Sequence, residues 1–445
     1  MIMKDGNLNR KLKPGNMIAY GAGDFFGGGC YAIIGLWLMY FYTTYAGLTA
    51  VEAGTILGVA RIVDAFNDPV MGYITDIFNR TKLGKRFGRR GFFFLFGGPA
   101  MIIYALLWVS GFDFWFYLFT YIAFDFIYTM VIVPYETLAA EMTTDYKVRS
   151  KLTSIRMLFS TGAGIFAAWL PGRLIEFFGE DSPLSFLYMG IIFAVLFSIV
   201  ILGLYFFTWE RPVAIKETDT KFNFIVDMKK LFLELYSTMR IRTFRQHVGM
   251  YTGGFVANDV LGTVFTFFIV FALSQTPVFA SNTLTAMSII QFCFIPVFTY
   301  LCIKIGNGPS YRIAQVFFIL GVLGMCGLYY FDMSSSIYLI YGAAALIGVA
   351  KSGTFYVCWN IYSFMADVDE VLTGERREGI FAGVMTFVRK CVQAAAIFFV
   401  GLMLENFGFV SGENTQSATA VDGIISVFLV GTIVFLLFGL YVNEI

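Results

Sequence analysis

Long apolar runs separated by short polar breaks recur along the whole chain. A helix that crosses a bilayer needs roughly 20 mostly apolar residues. Twelve such windows fall near residues 17–44, 52–78, 91–111, 114–141, 153–177, 185–208, 246–273, 280–303, 311–330, 335–365, 379–405 and 422–442. The pattern therefore predicts an all-α membrane protein with twelve transmembrane helices. An even count returns both ends of the chain to one side, and lysine and arginine decide which side that is. Lys4, Arg10, Lys11 and Lys13 precede the first window, Arg80, Lys82, Lys85, Arg86, Arg89 and Arg90 fill the second loop, and Lys147, Arg149 and Lys151 occupy the fourth. The opposite loops hold almost none apart from Arg173. Both termini and the even-numbered loops are expected in the cytoplasm. The polar start up to about Gly15 carries no cleavage signal, so the first span is expected to be retained.

The longest connection, 210–245, divides the chain into an N-terminal half, 1–209, and a C-terminal half, 246–445. It interleaves eight basic residues, Arg211 to Arg245, with Phe and Leu. Its apolar run Phe222 to Leu235 is too short to span and predicts an amphipathic helix on the inner leaflet. A short internal echo supports the division: Ala140-Glu141-Met142 followed by Arg149 returns half a chain later as Ala366-Asp367-Val368 followed by Arg376-Arg377. Two pseudo-symmetric six-helix bundles around a midplane site are the arrangement such repeats build.

Composition agrees with the pattern. The 445 residues are 58% hydrophobic and only 14% charged, beyond what soluble proteins carry. A net charge of +1 leaves no nucleic-acid footprint. The six cysteines lack CxxC spacing and sit in or at the ends of apolar windows, which argues against disulfides and zinc. His247 is the lone histidine, and no Walker, Rossmann or nucleophile-elbow motif appears. Neither an enzyme nor a cofactor is indicated.

Against this apolar background Arg61, Asp64, Asn67 and Asp68 stand out in the second window. Residues four apart share one helix face, so Asp64 and Asp68 lie together, with Arg61 one turn before. Ionisable groups within a bilayer cost a few kcal/mol or more each and mark functional sites. The alternative is a self-neutralising Arg61 to Asp64 pair that only fixes helix packing.

The run Arg61-Ile62-Val63-Asp64-Ala65-Phe66-Asn67-Asp68-Pro69-Val70-Met71-Gly72, followed by Lys82-Leu83-Gly84-Lys85, resembles the second-helix signature of the glycoside-pentoside-hexuronide:cation symporters, a branch of the major facilitator superfamily. Tyr128-Thr129 with Pro134, Ile155-Arg156 and Val388-Arg389-Lys390 extend the resemblance in order and spacing. It implies the major facilitator fold and symport of a glycoside or small oligosaccharide with sodium or protons, in the plasma (inner) membrane and as a monomer. It implies a cation site of Asp64, Asn67, Asp68 and Thr129, and a sodium ion does favour such oxygen ligands. Lys390 is the counter-charge the resemblance implies, and Arg61, one turn before Asp64, is a second by its spacing. Thr129 could instead bond back to its own helix, and Lys390 could snorkel to the surface beside Arg389.

The resemblance supports the substrate site less. Where galactoside-transporting members carry two aspartates, Gly28 and Ile132 stand here, although Arg156 is retained. Nearby polar groups, Asp24, Asp125 and Glu136, could serve instead, with Tyr20, Tyr128, Tyr135, Trp359 and Asn360 as aromatic and amide partners. Lys351, near the middle of the tenth window, must face either an acid such as Asp259 or an anionic substrate. With Arg156 it favours an acidic glycoside such as a uronide. A sodium-dependent lysolipid carrier of the same fold and an integral-membrane enzyme are the rival readings; the second would need a surface catalytic acid or histidine.

Overall fold

The computed structural model describes residues 12–78, 81–143, 146–180, 182–210, 239–373 and 378–444. Among them there is no strand. The long helices are α1 (Pro14–Thr44), α2 (Ala50–Ile77), α3 (Gly91–Leu106), α4 (Phe114–Met142), α5 (Tyr146–Phe178), α6 (Leu184–Phe207), α7 (Arg242–Ala272), α8 (Pro277–Ile305), α9 (Asn307–Tyr330), α10 (Ile337–Thr373), α11 (Glu378–Asn406) and α12 (Ala418–Glu444). Ten of the twelve are long and apolar enough to cross a membrane. The two that fall short differ in cause. Every stretch of α2 long enough to span carries Arg61 and Asp64 together with Glu52 or Asp68. α3 ends sooner than its apolar window, which ran to 111, because regular helix breaks after Ala100 and resumes only for Ile103–Leu106. Pro99, which has no N–H to continue the ladder, sits at that break.

Side-chain caps start several helices where the sequence supplies an oxygen. Thr49 and Glu52 form a reciprocal capping box at α2, and Asp113, Thr276 and Ser417 accept from backbone N–H groups at α4, α8 and α12. α1 and α7, the first helices of the two halves, each contain a π-helical turn near the C-terminal end, Ile34–Leu38 and Phe268–Ala272. Such turns widen a helix locally and are frequent at functional sites.

The chain separates into two compact units, Met1–Glu217 and Thr218–Ile445. Their boundary falls inside the connection expected at 210–245. The amphipathic helix expected at 222–235 lies outside the described residues. In the first unit α1 packs chiefly on α5, and α2 on α4. Gly28 lets α1 approach closely, since a Cβ there would run into Ser160 on α5. In the second unit α10 packs between α8 and α9, and α7 against α11 and α12.

Basic residues of the second loop are tied into the end of the first unit. Glu210, just past α6, accepts from the backbone N–H groups of Arg89 at 2.6 Å and Arg90 at 2.8 Å, at the start of α3. The Arg90 guanidinium lies 2.7 Å from Glu141 on α4, which Arg89 also contacts. Charge counted from the sequence as topology is therefore also a clasp joining α3, α4 and the end of α6.

Candidate coupling and substrate sites

The first cluster is built where α2 packs on α4. Asp64 is completely buried. Its Oδ1 accepts from Thr129 Oγ1 at 3.3 Å, and its Oδ2 lies 3.7 Å from Arg61 Nη1. Thr129 thus points across to α2 rather than back along its own helix. The Arg61 guanidinium sits 3.7 Å above the ring of Tyr31 on α1, and the Tyr31 hydroxyl donates to Asp125 Oδ1 at 2.5 Å. Asn67 and Asp68 follow one turn along α2, both half-buried. Three carboxylates, one guanidinium, an amide and two hydroxyls therefore lie in one apolar unit. Taking isolated charges out of water costs several kcal/mol each, so they persist only by compensating one another or by holding an ion.

The second cluster lies on α1, α4 and α5. Arg156 Nε donates to Asp24 Oδ1 at 2.9 Å, and Arg156 Nη2 is 3.6 Å from Glu136 Oε1. The guanidinium is 5.1 Å from the Tyr135 ring centroid, and Tyr135 donates to the Tyr20 carbonyl at 2.9 Å. Tyr20 and Tyr135 pack at 5.2 Å between centroids. Tyr20, Asp24, Tyr135, Glu136 and Arg156, assembled from distant positions, form one polar group with an aromatic wall. Tyr128 stands between the clusters, its ring 4.5 Å from Tyr31 and its hydroxyl on the Gly27 carbonyl at 2.9 Å.

Asp125, a substrate candidate from the sequence, bonds to Tyr31 and so lies in the first cluster and not beside Asp24 and Glu136. The signal was present in the spacing, because Asp125 and Thr129 are four apart on α4 and share a face, as Asp64 and Asp68 do on α2. Tyr31, a residue of ordinary hydrophobic appearance, gave no such signal.

The second unit holds a third cluster. Asp259 on α7 pairs with Arg389 Nη2 on α11 at 2.8 Å, and the guanidinium lies 4.8 Å from the Phe255 ring centroid. The direct partner of Asp259 is thus Arg389, where the sequence left Lys351 as the candidate. Lys351 on α10 remains within electrostatic reach of Asp259, but among the described residues it forms no direct ion pair. Lys390 is the next, half-buried residue of α11. Trp359 packs on Tyr251 at 6.1 Å, whereas the Asn360 amide donates to Asn307 at the start of α9, at 2.7 Å. That bond ties Asn360 to helix packing two and a half turns from Lys351. His247 is buried with Nε2 3.1 Å from Met385 Sδ, away from these charges.

Twelve long helices among the described residues, in two compact units with charges gathered inside apolar helices, fit the major facilitator fold. The chain belongs to the family described as MFS/sugar transport protein, whose sequence model matches residues 19–442. It is 27% identical to an uncharacterized symporter of Synechocystis sp., over 90% of this chain and 87% of that one. It is 25% identical to the glucuronide carrier protein homolog of Escherichia coli, over 94% of this chain and 89% of that one. Among solved structures, a bacterial homolog of the human lysosomal transporter Spinster, inward-facing and occupied, superposes with a TM-score of 0.69 at 13% identity, over 98% of both chains. The chain is thus a transporter of this sugar-transport family and not an enzyme, in keeping with the glycoside-pentoside-hexuronide:cation signature.

Proposed function

We propose that this protein takes up an acidic glycoside, of the uronide type, with a sodium ion as the coupling partner. The observation that carries the reading is the Asp64 site, where a buried carboxylate is shared between Arg61 and Thr129. Oxygen donors of this kind suit a hard monovalent cation, and Asn67 and Asp68 extend the set along α2. A cation that binds there competes with Arg61 for Asp64. Coupling then follows from linkage: if sodium raises substrate affinity by reordering α2 against α4, substrate raises sodium affinity by the same factor.

Two features support an anionic sugar. Lys351 has no direct ion pair among the described residues, because Arg389 occupies Asp259. The kinship with a glucuronide carrier homolog points the same way. Arg156 is already held by Asp24 and Glu136, so its remaining N–H groups suit the neutral hydroxyls of the sugar rather than its acid group. The loss of both galactoside aspartates, at Gly28 and Ile132, is consistent with a different sugar grip.

Purified protein in proteoliposomes tests this directly. An inward sodium gradient should drive accumulation of a labelled phenyl glucuronide, and the uncharged phenyl glucoside should compete poorly. A proton gradient that drives uptake in sodium-free buffer would transfer coupling to protons. Equal competition by both glycosides would return the site to neutral sugars.

A further inference from the structure

One buried acid of the first cluster has no part in the ion shell described above. Asp125 on α4 is 1% exposed and accepts the Tyr31 hydroxyl at 2.5 Å. Tyr31 in turn carries the Arg61 guanidinium on its ring face at 3.7 Å. Asp64 and Asp125 both act on Arg61, together with Tyr31 and Tyr121. A single guanidinium thus faces two buried carboxylates on two helices, and it stands in direct ion-pair distance of Asp64. That contact opposes cation binding, because every ion that takes Asp64 must first displace a fixed positive charge. A displaced guanidinium inside an apolar bundle requires another acid, or the cost of burying it falls on the ion.

We propose that Asp125 is the alternate ion-pair partner of Arg61: when the coupling ion takes Asp64, Arg61 turns on the Tyr31 ring toward Asp125, so that Asp125 sets ion affinity without touching the ion. The inference rests on the coupling-site reading and deepens it. Tyr31 does two things in this arrangement. Its ring stays beneath the guanidinium through the exchange, and its hydroxyl holds Asp125 in the receiving position. Asp125 is a positioning residue and acts through Arg61.

The test uses the full-length protein in detergent and reads thermal unfolding against NaCl, with choline chloride holding ionic strength constant. Asp125→Asn should raise the half-saturating sodium concentration about tenfold or more, since one charge-assisted contact of Arg61 is lost in the loaded state. Tyr31→Phe should move it in the same direction by less. The double change Arg61→Gln with Asp125→Asn should bring the value back to within about threefold of wild type, because no guanidinium then needs relocating. A purely structural Asp125 gives no such rescue. Should Asp125→Asn fail to fold, Tyr31→Phe and its rescue by Arg61→Gln carry the same reading. Sodium dependence unchanged in Asp125→Asn, or weakened without rescue, overturns the proposal alone. A wild type stabilised no better by sodium than by choline overturns the coupling-site reading, and this proposal with it.

Discussion

The two compact units treat buried charge in opposite ways. The coupling-site cluster of the first sets Asp64 and Asp125 against Arg61, so acids outnumber the base there. The second gathers Arg389 and Lys351 around Asp259, so bases outnumber the acid. Surplus carboxylate in a low-dielectric setting attracts a cation, and surplus ammonium attracts an anion. On the proposed reading, the coupling ion belongs to the first unit and the acid group of the substrate to the second. Neither surplus is visible in the net charge of +1.

The largest expected effect lies in the first unit. Asp64→Asn, and separately Asp68→Asn, should abolish sodium-driven accumulation while leaving substrate exchange measurable, because each removes a charge needed to strip water from the ion. Asp259→Asn, measured in the same vesicles, should retain uphill transport. If Asp259→Asn abolished coupling and Asp64→Asn did not, the assignment of the two units would be reversed. Next comes the anion contact. Lys351→Gln should raise the dissociation constant of a glucuronide about tenfold or more, as expected for a charge-assisted hydrogen bond of about 1.5–3 kcal/mol. Sodium affinity without substrate should not move. Misfolding of this variant would instead mark Lys351 as a structural partner of Asp259.

A smaller effect sharpens the same cluster. Arg389→Gln should weaken glucuronide binding several-fold, since Asp259 is then left to Lys351, and addition of Asp259→Asn should recover most of the loss. The smallest expected effect lies outside the spans, at Glu210. Burial raises the Glu210 carboxyl above its ordinary value of 4.5, and the N–H groups of Arg90 and Arg89 oppose the rise. A raised value means that the folded chain holds this proton more tightly than the unfolded chain. The resulting stability is fully present below the ordinary value and is lost as pH rises through the raised one. Thermal unfolding of Glu210→Gln should lack that increment, and an identical pH profile in wild type and variant would remove Glu210 from the account.

The clasp at Glu210 also shows where reading along the chain stops. Arg89 and Arg90 were legible as part of a basic loop, but their bonds to Glu210 and Glu141 join positions 51 to 121 residues apart in sequence. Gly88 completes the joint with a positive φ of 93° and no Cβ to obstruct the Glu210 carboxylate.

What the chain determined by itself follows from local physics. Hydrophobic length set the spans, the break at 210–245 set the division into two units, and four-residue spacing placed Asp64 beside Asp68 on one face. Each depends on neighbours within a turn or on the bilayer as solvent, so each is written in consecutive residues. Only the tertiary structure decided which charges meet. It gave Asp259 to Arg389 and left Lys351 without a direct ion pair among the described residues, set Asp125 beside Tyr31 and Arg61, and drew Asp24 and Glu136 to Arg156. Pairing between helices depends on the rotation and depth of each helix in its bundle. Those are fixed by packing against every neighbour at once, and no periodicity along a single helix records them.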